Sequence, residues 1–125
     1  VQTCALPISI MKSAITTHVL DTSSGAPAEN IHVVLEAFRE GENWETIGVG
    51  HTDSDGRINN FSIESDTISA GAYRLTFHVS SFFESKGVES FYTSIPIMFN
   101  LDDPSSHYHV PLLLNPYGYS TYRGS

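Results

Sequence analysis

Residues 73–80 read YRLTFHVS. Tyr73, Leu75, Phe77 and Val79 fall on one side of an extended chain, and Arg74, Thr76, His78 and Ser80 fall on the other. A period of two separates apolar from polar positions in this way only in a half-buried β-strand. Such a strand has to cover its apolar face with another layer, so its neighbours in sequence should show the same pattern. They do, in runs at 14–20, 31–38, 44–52, 57–63, 90–100, 107–114 and 119–122, broken by the turn-rich DTSSGAPAEN (21–30), by 39–43 and by DSDG (53–56). About eight short strands with a turn every 8–12 residues make an all-β fold of two packed sheets. Helix signals are confined to SSFFESK (80–86), with a serine cap, Glu84 in the first turn, Lys86 late and Gly87 as a stop.

The chain has 125 residues, the size of one domain able to bury a core. Six Lys+Arg against fourteen Asp+Glu give a net charge of −8, which repels phosphate backbones and anionic lipid. A small neutral or anionic ligand then needs a local positive group. The single cysteine, Cys4, cannot close an intramolecular disulfide, so no oxidising compartment is implied and a cytoplasmic setting is expected. No run of about eighteen apolar residues is present to span a membrane as a helix. VQTCALPISI (1–10) has no basic residue ahead of its apolar stretch and makes a poor secretory signal. Residues 1–12 read as an extension outside the fold, leaving 13–125 as one domain without internal repeats.

Several segments carry chemistry. In HYHVPLLL (107–114), alternation puts His107 and His109 on one face and Tyr108, Val110, Leu112 and Leu114 on the other. Two imidazoles at i, i+2 suit either metal ligation or a proton-handling pair; two surface histidines on a half-exposed strand give the same pattern. His18, in ITTHVLD (15–21), shares a face with Thr16 and Leu20, and a lone strand histidine is most often structural. HTDSDGRI (51–58) starts like a calcium loop, but the register puts Ser62 where the bidentate glutamate belongs. It reads better as a hairpin turn with Asp55-Gly56 at positive φ, after which Arg57 is placed to hold a planar ligand. GYSTY (118–122) lacks the second glycine of a nucleophile elbow and the strand–helix context. His32, His51 and His78 carry no second chemical feature and read as structural. The tail NPYGYSTYRGS (115–125) holds three tyrosines in its last nine residues, anchors suited to a wet interface.

Taken together, ITTHVLDTSSGAPA (15–28), TDSDGRI (52–58) and HYHVPLLLNPYGYSTYRGS (107–125) resemble the transthyretin-like family and, within it, the 5-hydroxyisourate hydrolases, whose chains end in YRGS. The likeness runs over about 13–125. It implies a prealbumin-type sandwich of about eight strands with one short helix, assembled as a homotetramer with sites at the dimer–dimer interface. It implies hydrolytic opening of the six-membered ring of 5-hydroxyisourate in urate degradation, with no metal or organic cofactor. The family's functional positions fall on His18, Arg57 and His109 as catalytic groups, with Tyr122 and Ser125 joining His18 and Arg57 in substrate binding. The rival expectation is a non-enzymatic small-ligand carrier on the same sandwich, because a fold does not by itself specify an activity.

Overall fold

The structure, a computed structural model, describes residues 13–63 and 68–125. The expected extension at 1–12 lies outside the described residues. Among the described residues, nine strands and one helix follow in the order β1 (Ile15–Asp21), β2 (Ala26–Pro27), β3 (His32–Arg39), β4 (Asn43–His51), β5 (Arg57–Ile58), β6 (Gly71–His78), α1 (Ser80–Ser85), β7 (Ser94–Leu101), β8 (Tyr108–Asn115) and β9 (Gly118–Thr121). They form two sheets. One has the order β2-β1-β8-β9, with β5 also paired to β1; the other is β4-β3-β6-β7. All pairings are antiparallel except β1 with β8, which run parallel.

The alternation in YRLTFHVS corresponds to β6 and the two residues that lead into α1: Tyr73, Leu75, Phe77 and Val79 are buried, while Arg74, Thr76, His78 and Ser80 are half-exposed. Their apolar faces meet Ile15, Val19, Leu112 and Leu114 of the first sheet in one core. Burying each large side chain of this kind contributes roughly 1.5–3 kcal/mol before entropy is counted. The expected all-β sandwich is therefore the observed one.

Four local readings need correction. The 57–63 run is a strand only at Arg57–Ile58; Asn60 Oδ1 accepts the Ser62 N–H and Ser62 sits at φ 58°, so an Asx-type turn breaks the extended chain. Phe61 is still buried, packed on Gly48, where an added Cβ would lie 3.0 Å from its own Cβ. The turn at 53–56 is not a hairpin, because β4 belongs to the second sheet and β5 pairs with β1 of the first. Only Gly56 has positive φ there, at 76°; Asp55 does not. Gly56 is also forced by space, since a Cβ would collide with the Val19 carbonyl.

The helix lacks its expected cap. Val79 occupies the N-cap without a side-chain hydrogen bond, and the first turn holds no acidic residue. Burial of Phe82 and Phe83 holds this six-residue helix instead. Gly87 does stop it: at φ 68° its N–H donates to Glu84 O while Val88 N–H donates to Phe83 O, a Schellman pair. The 90–100 run starts only at Ser94, because Phe91 N–H is tied to Pro116 O in the β8–β9 turn.

Candidate active site

The parallel pairing of β1 with β8 sets Thr16 opposite His109 and His18 opposite Pro111. On the other edge of β1, His18 stands opposite Arg57. Residues opposite one another point to the same face of a sheet. Because Ile15 and Val19 of β1 and Val110, Leu112 and Leu114 of β8 point into the core, Thr16, His18, Arg57 and His109 all face outward. The chain end completes the set: an isolated bridge joins His109 to Gly124, with Gly124 N–H donating to His109 O at 2.8 Å.

The register therefore brings His18, Arg57, His109 and the terminal tetrapeptide together on the outer face of one sheet. Strands about 4.8 Å apart and residues about 6.6 Å apart along a strand place the His18 and His109 Cα atoms on a diagonal of about 8 Å. That span can straddle a single small ring. His18, Arg57 and His109 are half-buried, Tyr122 is 58% exposed and Ser125 is exposed. Nearby, a groove of about 290 Å³ between the β7 and β9 edges is lined by Tyr122 and Arg123 but by none of the histidines or Arg57. Arg123, itself exposed, lays its guanidinium 4.5 Å above the Tyr108 ring.

The details around His109 exceed what the sequence suggested. Thr16, only 2% exposed, has its Oγ1 2.8 Å from His109 Nδ1 and 3.1 Å from His107 Nε2. Beneath it, Thr17 Oγ1 donates to Val110 O at 2.6 Å and fastens β1 to β8. A Cβ at Gly124 would come within 2.6 Å of His109 Cδ2. Neither Thr16 nor Gly124 was singled out from sequence; the available signal was Thr16 sharing a face with His18. Among the described residues no group of three or more His, Cys, Asp and Glu is arranged to hold a metal ion.

On the far side of the sandwich, the structure does link the three histidines that looked featureless. His32 stands opposite both His51 and His78, with ring centroids 4.8 and 5.2 Å away. Burial pushes the His32 imidazole below its ordinary pKa, and the His51 and His78 charges push in the same direction.

The chain matches the model of the HIUase/Transthyretin family over residues 15–124. A 5-hydroxyisourate hydrolase of Salmonella dublin is 41% identical over 121 residues, covering 97% of this chain and 88% of that relative. The solved structure of Klebsiella pneumoniae 5-hydroxyisourate hydrolase superposes with a TM-score of 0.76 at 40% identity, covering 89% of this chain and 97% of that one. Transthyretin from Sparus aurata gives a TM-score of 0.84 at 27% identity, over 90% and 97% of the two chains. Sequence and fold agree over nearly the whole domain, and the chain belongs to the HIUase/Transthyretin family.

Proposed function

We propose that this protein hydrolyses 5-hydroxyisourate in urate degradation, opening its six-membered ring to 2-oxo-4-hydroxy-4-carboxy-5-ureidoimidazoline. The observation that carries the reading is the convergence of two imidazoles, a guanidinium and the chain end on one sheet face. The hydrolase relatives, at about 40% identity over most of the chain, support the substrate.

Opening a cyclic amide takes three elements: an activated water, a place for the oxyanion charge, and a proton for the departing nitrogen. Water oxygen bonds to the ring carbonyl carbon and one imidazole accepts its proton. The C–N bond then breaks, and the leaving nitrogen takes a proton from an imidazolium. His18 and His109 divide these tasks, one of them neutral at the outset, since imidazole is competent in both roles near neutral pH. Arg57, beside His18, supplies the local positive group that a ligand of this acidic chain needs, clamping the electron-rich ring and stabilising negative charge as it develops. Tyr122 and Ser125 orient the ring.

The half-open geometry supports a homotetramer in which another copy roofs the site: the four groups lie on a sheet face with Tyr122 largely exposed, and a catalytic ring needs water excluded on its other side. A cytoplasmic setting fits the lone Cys4. The carrier reading is disfavoured because transport has no use for a proton-transfer pair. The test follows ultraviolet decay of freshly generated 5-hydroxyisourate with and without protein. His18→Ala and His109→Ala are each expected to lower kcat by at least about 100-fold with β-sheet circular dichroism retained. Wild-type rates in both variants would remove the assigned roles.

A further inference from the structure

We infer that Thr16 is a positioning residue whose hydroxyl holds the ring plane of His109 and ties its tautomer to that of His107. The inference rests on the functional reading above only for its consequence in catalysis. The geometry itself is a three-membered chain, His109 Nδ1···Oγ1 Thr16···Nε2 His107, at 2.8 and 3.1 Å.

A hydroxyl has one proton to give and lone pairs to accept with. It is satisfied on both sides only when one of the two ring nitrogens facing it is protonated and the other is bare. Two arrangements meet this condition. In the first, His109 Nδ1–H donates to Thr16 Oγ1 and the Thr16 hydroxyl donates to His107 Nε2, so neutral His109 keeps a bare Nε2 and can take a proton from water. In the second, every donor is reversed, and neutral His109 carries its proton on Nε2. Protonation of His109 on Nε2 in the first arrangement leaves the chain intact, because Nδ1–H goes on donating to Thr16.

Thr16 is suited to this task for reasons visible in the fold. It is 2% exposed, so bulk water does not compete for its hydroxyl in the folded chain. Its β-branched side chain has a restricted χ1, and its backbone stands directly opposite His109 in the β1–β8 ladder. His107 is exposed and placed at the solvent end of the chain. Among the described residues, the other ionisable side chains on this face are His18 of β1, Arg57 of β5 and Tyr122 of the tail; Arg123 is turned towards Tyr108.

The experiment compares wild type, Thr16→Val, Thr16→Ala and Thr16→Ser in the full chain. The readouts are kcat and KM against pH, and long-range ¹H–¹⁵N spectra of the imidazoles. Thr16→Val, which keeps the shape and removes the hydroxyl, is expected to lower kcat about 10–100-fold, leave KM within about twofold, displace the histidine limb of the pH–rate profile and alter the His109 tautomer signal. Thr16→Ala should do the same, and Thr16→Ser should restore both the profile and the signal. An unchanged tautomer signal and profile in folded Thr16→Val or Thr16→Ala would overturn the inference, as would a Thr16→Ser variant that behaves like valine. Absence of turnover in the wild-type chain would sink the functional reading alone; the tautomer signal would then decide the role of Thr16 by itself.

Discussion

Replacing Gly124 by alanine adds one methyl group at the point where the chain end crosses His109. Gly124 is outside the positive-φ region, so alanine meets no backbone penalty there and the effect is one of space. The new Cβ would lie 2.6 Å from His109 Cδ2 and 3.2 Å from Cγ of Pro111, a buried ring. Carbon atoms pack at about 3.5–4.0 Å, so the imidazole or the tail has to retreat by about 1 Å. Withdrawal of the ring by that much stretches the 2.8 Å bond to Thr16 beyond hydrogen-bond reach. Withdrawal of the tail breaks the 2.8 Å Gly124 N–H to His109 O bond and carries Tyr122 and Ser125 with it. Either route misplaces the proposed catalytic and binding groups by about 1 Å, which on that reading costs about 100-fold in kcat, whereas overpacking of this kind lowers stability by only about 1–3 kcal/mol. The assay is ultraviolet decay of 5-hydroxyisourate, with Gly118→Ala as the matched control, because its methyl would meet only the Asn115 side chain at an ordinary 3.7 Å. A Gly124→Ala protein with kcat within about threefold of wild type would refute the claim that the tail packs against a working His109.

Deleting Tyr122–Ser125 should abolish hydrolysis with little change in β-sheet circular dichroism, since the β8–β9 ladder ends at Thr121; full activity in the truncated chain would make the tail a mere cover. Because the His32 pKa is depressed in the folded state, the unfolded chain binds a proton first as pH falls. Urea midpoints should therefore decline as pH drops below the ordinary imidazole value of 6.5 and level off below the folded pKa, and His32→Gln should flatten that slope; an identical slope in the variant would exclude His32 as its source. Thr52 is 3% exposed, with its Oγ1 accepting from Ile31 N–H at 2.8 Å and donating to Ala28 O at 2.7 Å, so Thr52→Val should cost about 1–3 kcal/mol in denaturant unfolding. An unaltered midpoint would mean the freed backbone groups find other partners.

Side-chain periodicity was legible because it is local. Alternation named the inward and outward faces of β1, β6 and β8, although Thr16 and Pro111 on the outward faces are buried by their neighbours, and Gly87 and Gly56 marked real chain reversals. The failures were places where packing overrode local pattern. Ser80 looks like a cap, yet Phe82 and Phe83 anchor the helix from the core side. DSDG looks like a hairpin, yet the chain leaves one sheet for the other, since Val19 N–H is waiting for the Gly56 carbonyl at 2.7 Å. His32, His51 and His78 lie 19 to 46 positions apart and meet only through the β3–β4 and β3–β6 registers.

The sequence alone determined which residues face outward: His18 with Thr16, His107 with His109, and a tyrosine-rich tail beyond them. Which outward faces adjoin one another was decided by tertiary structure. Thr16 and His109 are 93 residues apart, and nothing within either strand encodes that β1 and β8 lie side by side, run parallel and match 16 with 109. That register follows from burying Ile15, Val19, Val110 and Leu112 together in one core. A slip of one residue would turn either histidine inward, so the packing of the hidden face is what assembles the exposed one.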